Sequence, residues 1–144
     1  YVYAHEHGTP WPTLREMIAS NRRLVVFTDN GGGDQAGPYP WYMDQWEYAF
    51  QNPYAAQVES DFSCAVDRGV AGSNQVFIMN PFLTSPIASI DNAMVVNPYA
   101  SLHPHVTQCQ TDRAQIPNFV TVDFYEVGDV VRVVDELNGL PTSP

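Results

Sequence analysis

"PNFVTVDFYEVGDVVRVVDELNGL" (residues 117–140) contains both of the patterns from which the fold is read. Phe119, Val120, Val122 and Phe124 crowd apolar side chains into a short run, the mark of a strand covered on both faces. A few residues later the period changes: Val130, Val133, Val134 and Leu137 fall on one helical face, which Asn138-Gly139 closes. A buried strand followed by an amphipathic helix is the repeating unit of a parallel α/β fold. The discordant residue is Asp123, a carboxylate at the carboxyl end of a strand that otherwise favours burial.

The same alternation recurs toward the amino terminus. "YVYA" (1–4) reads as a short strand. Thr13 and Glu16 form a capping box after Pro12, and Leu14, Met17 and Ile18 mark one face of a helix running to about Asn21. "LVVFT" (24–28) is an apolar run of strand length, again read as covered on both faces, and "DNGGGDQAGPYP" (29–40) is a loop by its Gly and Pro content. In "QWEYAFQNPY" (45–54) the alternation of Trp46, Tyr48 and Phe50 with Glu47 and Ala49 predicts a strand stopped by Pro53. "VFIMN" (76–80) predicts another buried strand, ended by Pro81. Ser85-Pro86 reads as the start of a short helix toward Met94, and a further helix is expected over His103 to Arg113. The expectation is an α/β chain with a parallel sheet, one segment over 1–144 with a tail at 141–144. Periodicity leaves half of an eight-stranded barrel and a small open sheet equally open.

A chain of 144 residues with 44% hydrophobic and 12% aromatic residues can bury a core of its own. Its six basic residues, all Arg, face 16 acidic ones, for a formal charge of -10. That balance repels phosphate backbones and anionic lipid surfaces, so neither nucleic acid nor a polybasic membrane contact is expected. No apolar run is long enough to span a bilayer, and no signal segment opens the chain, whose first residues read like the middle of a domain. Cys64 and Cys109 lack the spacing of a zinc site; they pair if the protein is exported and are buried thiols if it is cytosolic.

Polar residues gather where the strands end: Asp29 after Thr28, Asn52 and Tyr54 after Gln51, Asn80 after Met79, and Asp123 with Tyr125. In a parallel α/β fold such ends share one rim, where ligand-binding and catalytic groups sit. Asp123 is either a carboxylate satisfied by loop amides or by Arg132, or one that orients a histidine as the acid of a catalytic triad does. Asn52 and Tyr54 either cap a turn or meet the hydroxyls of a polyol. His5, His7, His103 and His105 read as solvated, and neither His-x-His pair has further ligands nearby, so no metal site is expected. The triple glycine of "NGGGD" lacks the phosphate-loop pattern and reads as a lid or linker. Trp41, Tyr42, Trp46 and Tyr48 are core aromatics or stack on a sugar ring. No GxSxG elbow, HExxH or supported Cys nucleophile is present.

Taken in order, "WPTLREMI", "RRLVVFTD", "WEYAFQNPY", "FSCAVDRG", "FIMNPF" and "PNFVTVDFYEVGDVVRVVDELNG" resemble the later half of the phospholipase C-like phosphodiesterase superfamily. The likeness is strongest to secreted bacterial, fungal and plant proteins with a phosphatidylinositol-specific phospholipase C X-type domain, and it runs from about Trp11 to Gly139. The resemblance implies the second half of a TIM-type barrel, roughly strands five to eight, with the partner half preceding it. It implies hydrolysis of a lipid or polyol phosphodiester by two histidines acting as general base and acid, both from that other half, since the family's His-Asp motif is absent here. On matching positions, Asp123 would support the base histidine, and Asn52 and Tyr54 would contact the head group. Asp29 and Asn80 are weaker rim candidates; Pro81 replaces the histidine of the family's triplet after Asn80. Cys64 and Cys109 match cysteines of secreted relatives, which supports a disulfide and a secreted or extracytoplasmic location. Branches of the family work without metal or with Ca²⁺, so the cofactor is left open. The alternatives are a non-catalytic carbohydrate-binding barrel that uses Tyr54, Trp41 and Trp46, and an inactive fragment.

Overall fold

The computed structural model describes residues 1–32 and 37–142. The middle of the expected glycine loop, 33–36, and the last two residues of the expected tail lie outside them. The chain divides into two compact units, one of Tyr1–Phe50 with Gly69–Val76 and one of Gln51–Arg68 with Phe77–Pro144.

In the first unit, Thr13 caps α1 (Leu14–Ala19) through the expected capping box, its hydroxyl accepting from the Glu16 amide while Glu16 accepts from the Thr13 amide. Only Met17 of the three apolar residues turns inward; Leu14 and Ile18 are 77% and 62% exposed. β1 (Val26–Thr28) pairs in parallel with β2 (Tyr42–Asp44), register Phe27 to Met43. β1 is half-buried on both faces rather than fully covered, and "YVYA" contributes one parallel bridge, Val2 to Leu24, instead of a strand.

The alternation over 45–50 also misleads. Gln45–Tyr48 is a single helical turn, α2, because the Asp44 carboxylate accepts from the Trp46 amide and caps it; β3 (Ala49–Gln51) begins only afterwards. Asp44 with Glu47 three residues on is a helix-start signature that the apolar alternation masked. Buried Met43, Tyr48, Ala49 and Phe50 form this unit's core. Trp11 joins it, stacked on His5 at 3.8 Å and donating from Nε1 to the Asn74 carbonyl at 3.0 Å.

A short 3₁₀ turn (Glu59–Asp61) of the second unit precedes β4 (Arg68–Gly69), and β5 (Val76–Met79), of the second unit from Phe77 on, pairs in parallel with β6 (Phe119–Val120). The expected strand over 119–124 thus ends early. The Thr121 amide still bonds to the Met79 carbonyl at 2.9 Å, but the chain then turns, with Phe124 in the left-handed region at φ 52°. Asp123 lies in that turn, beyond the strand end.

α3 (Ile90–Val96) starts later than Ser85-Pro86 predicts, because Ser89 caps it by accepting from the Asn92 amide. Asn92 in turn donates its side-chain amide to the Ser85 and Ile87 carbonyls, holding the preceding turn in place.

α4 (Tyr99–Arg113) begins a turn earlier than His103 and carries Pro104 inside it. Its N-cap, Pro98, has no polar side chain; the Asp129 carboxylate takes that role by accepting from the Tyr99 amide at 2.8 Å. α5 (Val130–Leu137) follows as expected, burying Val130 and Val133 and closing at Asn138 with Gly139 at φ 67°. Ala56, Leu83 and Val96 form a further buried cluster on which Phe62 packs.

Cys64 and Cys109 form a disulfide across a sequence separation of 45. In the chain-entropy picture a closure of that length stabilises by about 4 kcal/mol. Thiol labelling of the denatured, unreduced protein is expected to find neither cysteine free, and the double variant Cys64→Ser/Cys109→Ser should lose about 2–4 kcal/mol in urea unfolding. Labelling of both thiols, or an unchanged urea midpoint, would contradict the pairing.

Candidate functional site

β3, β5 and β6 each run into a polar residue, and hydrogen bonds join these residues. Asn52, 1% exposed, accepts at Oδ1 from the Asn80 amide at 2.7 Å and donates from Nδ2 to the Ser63 carbonyl at 2.9 Å. Asn80 returns the contact by donating its side-chain amide to the Asn52 carbonyl at 2.9 Å. The Thr121 hydroxyl completes the row, 2.7 Å from Asn80 Oδ1 and 2.8 Å from the Met79 carbonyl, with one proton shared between the two acceptors. Burying amides is costly unless each is paired, and here pairing fixes three strand ends beside one another.

These contacts assign work within the second unit. Asn52 and Asn80 are buried and their side-chain amides are engaged with protein, so in this structure they position the rim rather than face a ligand. Tyr54, two residues past Asn52, is 44% exposed, with the Arg68 guanidinium 4.9 Å from its ring centre. Asp123, two residues past Thr121, is half-buried, and among the described residues its carboxylate has no hydrogen-bond or ion-pair partner. Neither alternative from the spacing, loop amides or Arg132, occupies it; Arg132 lies 4.0 Å over the Tyr99 ring.

The loop carrying Asp123 is held by a residue that the sequence did not single out. Asn97, fully buried, donates its side-chain amide to the Asp123 carbonyl at 2.9 Å and to the Val127 carbonyl at 3.0 Å. Its own carbonyl accepts from the Asp129 amide at 3.0 Å. A Cβ at Gly128, which sits at φ 85°, would lie 2.6 Å from Asn97 backbone atoms, so both the close approach and the backbone conformation call for glycine there. Only the "VGD" turn before α5 hinted at this arrangement.

Asp29, in the first unit, is exposed and accepts from the side-chain amide of its neighbour Asn30 at 3.0 Å. The histidines depart in part from the solvated reading. His5 is buried; a carbonyl can only accept, so its Nε2–H donates to the Thr9 carbonyl at 3.1 Å and Nδ1 accepts from the Tyr3 hydroxyl. Burial lowers its pKa below the ordinary histidine value. His7 is exposed and donates to the Glu47 carbonyl. His103 is half-buried, stacked on Tyr99 and 3.4 Å from the Glu136 carboxylate. His105 is half-buried against Phe62, at 4.6 Å between ring centres.

Among the described residues, the grouping of three or more His, Cys, Asp or Glu side chains at ligand spacing is Cys64, His105 and Cys109. That donor set is nitrogen and sulfur, so these residues do not assemble the oxygen cage that Ca²⁺ requires.

The PI-PLC X 1 family model matches residues 1–138. PI-PLC X domain-containing protein 1 of Arthroderma benhamiae is 30% identical over 142 residues, covering 90% of this chain and 45% of that protein. An uncharacterized secreted protein of the same fungus is 26% identical over 138 residues, covering 83% and 30%. PI-PLC X domain-containing protein At5g67130 of Arabidopsis thaliana is 28% identical over 140 residues, covering 92% and 32%. The chain thus spans less than half the length of each of these curated relatives. No solved structure matches.

The amide row makes an energetic prediction. Asn52→Ala orphans the Asn80 amide and the Ser63 carbonyl and should cost roughly 2–4 kcal/mol in urea unfolding, and Thr121→Val about 1 kcal/mol. Tyr54→Phe should stay within about 0.5 kcal/mol of the parent. Asn52→Ala as stable as the parent would mean that the row does not hold the strand ends.

Proposed function

The chain belongs to the PI-PLC X family, and from that membership we propose that it forms the carboxyl-terminal half of a TIM-type barrel in a phosphoric diester hydrolase. The substrate class is a lipid or polyol phosphodiester. The observation that carries the reading is Asp123: a half-buried carboxylate just past a strand end, its backbone anchored by Asn97, its oxygens without a partner among the described residues. A carboxylate so held fits the task of orienting a histidine supplied by the other half of the barrel, fixing its tautomer and favouring its protonated form.

In this reading the histidine pair of the other half moves the protons. One removes the proton from the attacking hydroxyl or water, and the second protonates the leaving oxygen. Asp123 is a positioning residue for the first. Tyr54, exposed beside Arg68, is the contact offered to the head group, while Asn52 and Asn80 keep the rim in register. Parallel pairing of β1 with β2 and of β5 with β6 supports a barrel of this type. The disulfide and the secreted relative support export. No helix among the described residues is long and apolar enough to cross a membrane.

A second reading, a non-catalytic carbohydrate-binding barrel, is favoured by one observation in the first unit. Tyr39 and Tyr42 are exposed, and both lie edge-to-face with Trp41 at centroid distances of 6.2 and 6.1 Å. Such a surface suits a sugar ring.

Hydrolysis of phosphatidylinositol and of a soluble inositol phosphodiester by the full polypeptide separates the two. Asp123→Asn is expected to lower kcat by about 10²-fold, with KM and the unfolding midpoint nearly unchanged. Full activity in that variant would remove Asp123 from the mechanism. Glycan binding without any hydrolysis by the parent would replace the enzyme reading with the binding one.

A further inference from the structure

Cys109 and His105 stand four residues apart on α4, the spacing that puts two side chains on one helical face. Cys64 reaches the same point from the segment after the 3₁₀ turn. One donor atom from each of the three lies within 4.8 Å of the others. His105 Nε2 is buried and has no hydrogen-bond partner among the described residues, so this imidazole offers a lone pair or a proton that none of them uses. Buried ring nitrogens are ordinarily paired, which makes the orphan informative.

The disulfide is not the only tie that holds the three together. Asn52 Nδ2 donates to the Ser63 carbonyl, next to Cys64. Phe62 stacks on the His105 ring with planes 18° apart and packs on the Ala56, Leu83 and Val96 cluster. The Ser101 hydroxyl donates to the Glu59 carboxylate, tying the 3₁₀ turn to α4 one turn before His105. Opening the S–S bond therefore leaves two sulfurs and an imidazole confined to one small volume.

We propose that Cys64, His105 and Cys109 constitute a reduction-gated site for a thiophilic divalent cation of the Zn²⁺ class. Oxidised, both sulfurs are spent on each other and the site is closed. A dithiol delivers two electrons: its thiolate attacks the sulfur of the half-exposed Cys64 and Cys109 leaves as thiolate; the second thiolate of the reductant then attacks the mixed disulfide at the reductant's own sulfur, closing the reductant's disulfide and expelling Cys64 as thiolate. The cation then binds both thiolates and the neutral imidazole, releasing any thiol protons to solvent. Three protein ligands leave a fourth position for water, a Cys₂His arrangement of ordinary tetrahedral geometry. In a reducing compartment the site would replace the covalent link by a coordinate one between the same two segments.

Co²⁺ is the spectroscopic probe, and a phosphine is the reductant because it does not compete as a thiol ligand; water supplies the oxygen of the phosphine oxide and the protons of the two thiols. The full polypeptide reduced in this way should take up one Co²⁺ at the site, giving sulfur-to-cobalt charge-transfer absorption and the visible bands of a tetrahedral ion. The unreduced protein should give neither. His105→Ala should weaken the reduced protein's affinity at least tenfold. Should reduction unfold the second unit, Co²⁺ ought to restore its far-ultraviolet circular dichroism, because binding free energy is then folding free energy. Absence of charge-transfer bands after reduction, equal affinity in His105→Ala, or a reduced chain that stays unfolded at saturating Co²⁺ would each overturn the site.

Discussion

The second unit depends on a constraint set by two buried amides. Asn52 and Asn80 exchange backbone and side-chain hydrogen bonds across the ends of β3 and β5, and Thr121 extends the row to β6. Strand ends are where ladder bonding runs out and backbone groups need other partners. Side-chain amides supply both a donor and an acceptor, so two asparagines can close the account that one hydroxyl or carboxylate could not. Because each bond is directional, the row fixes register as well as proximity. The residues that follow, Tyr54 and Asp123, inherit their positions from it.

Asn97 repeats this logic one layer out. It binds the turn after β6 from inside, while Asp129 at the end of that turn caps α4 at Tyr99. Turn, helix start and α5 are thereby coupled, and Gly128 is the point where the chain must pass closest. The disulfide adds a covalent tie between the segment after the 3₁₀ turn and the middle of α4. A rim residue such as Asp123 is in this way supported from behind, while its carboxylate is clear of partners among the described residues. That combination, a pinned backbone and an uncommitted functional group, is what a positioning carboxylate needs.

Much of this is legible in the sequence, and the parts that are not share a cause. The Thr13–Glu16 box, the apolar run of β5 and the Val130–Leu137 face each rest on interactions within a few residues, and each stands where the pattern put it. Asp44 capping α2 is just as local, yet Trp46, Tyr48 and Phe50 advertised the opposite period more loudly. Long-range partners left no trace: Pro98 gives no hint that Asp129 will cap α4, and the run ending at Phe124 cannot show that Thr121 turns aside to meet Asn80. Local composition reports what a segment favours alone, and tertiary hydrogen bonds decide where it stops.

The same distinction sorts the rim residues. From spacing, Asn52, Tyr54, Asn80 and Asp123 look equivalent, each a polar group closing a strand. Burial and bonding divide them: the two asparagines engage their amides with one another and with Ser63, whereas Tyr54 is open to solvent and the Asp123 carboxylate is uncommitted among the described residues. A buried amide that turned to a ligand would have to abandon a bond worth about 1 kcal/mol net and leave its former partner unpaired at a further cost of about 1–3 kcal/mol. An uncommitted carboxylate pays neither. In the proposed enzyme, chemistry would therefore fall to the residues one step beyond the row, and the row itself is the reason they are in place.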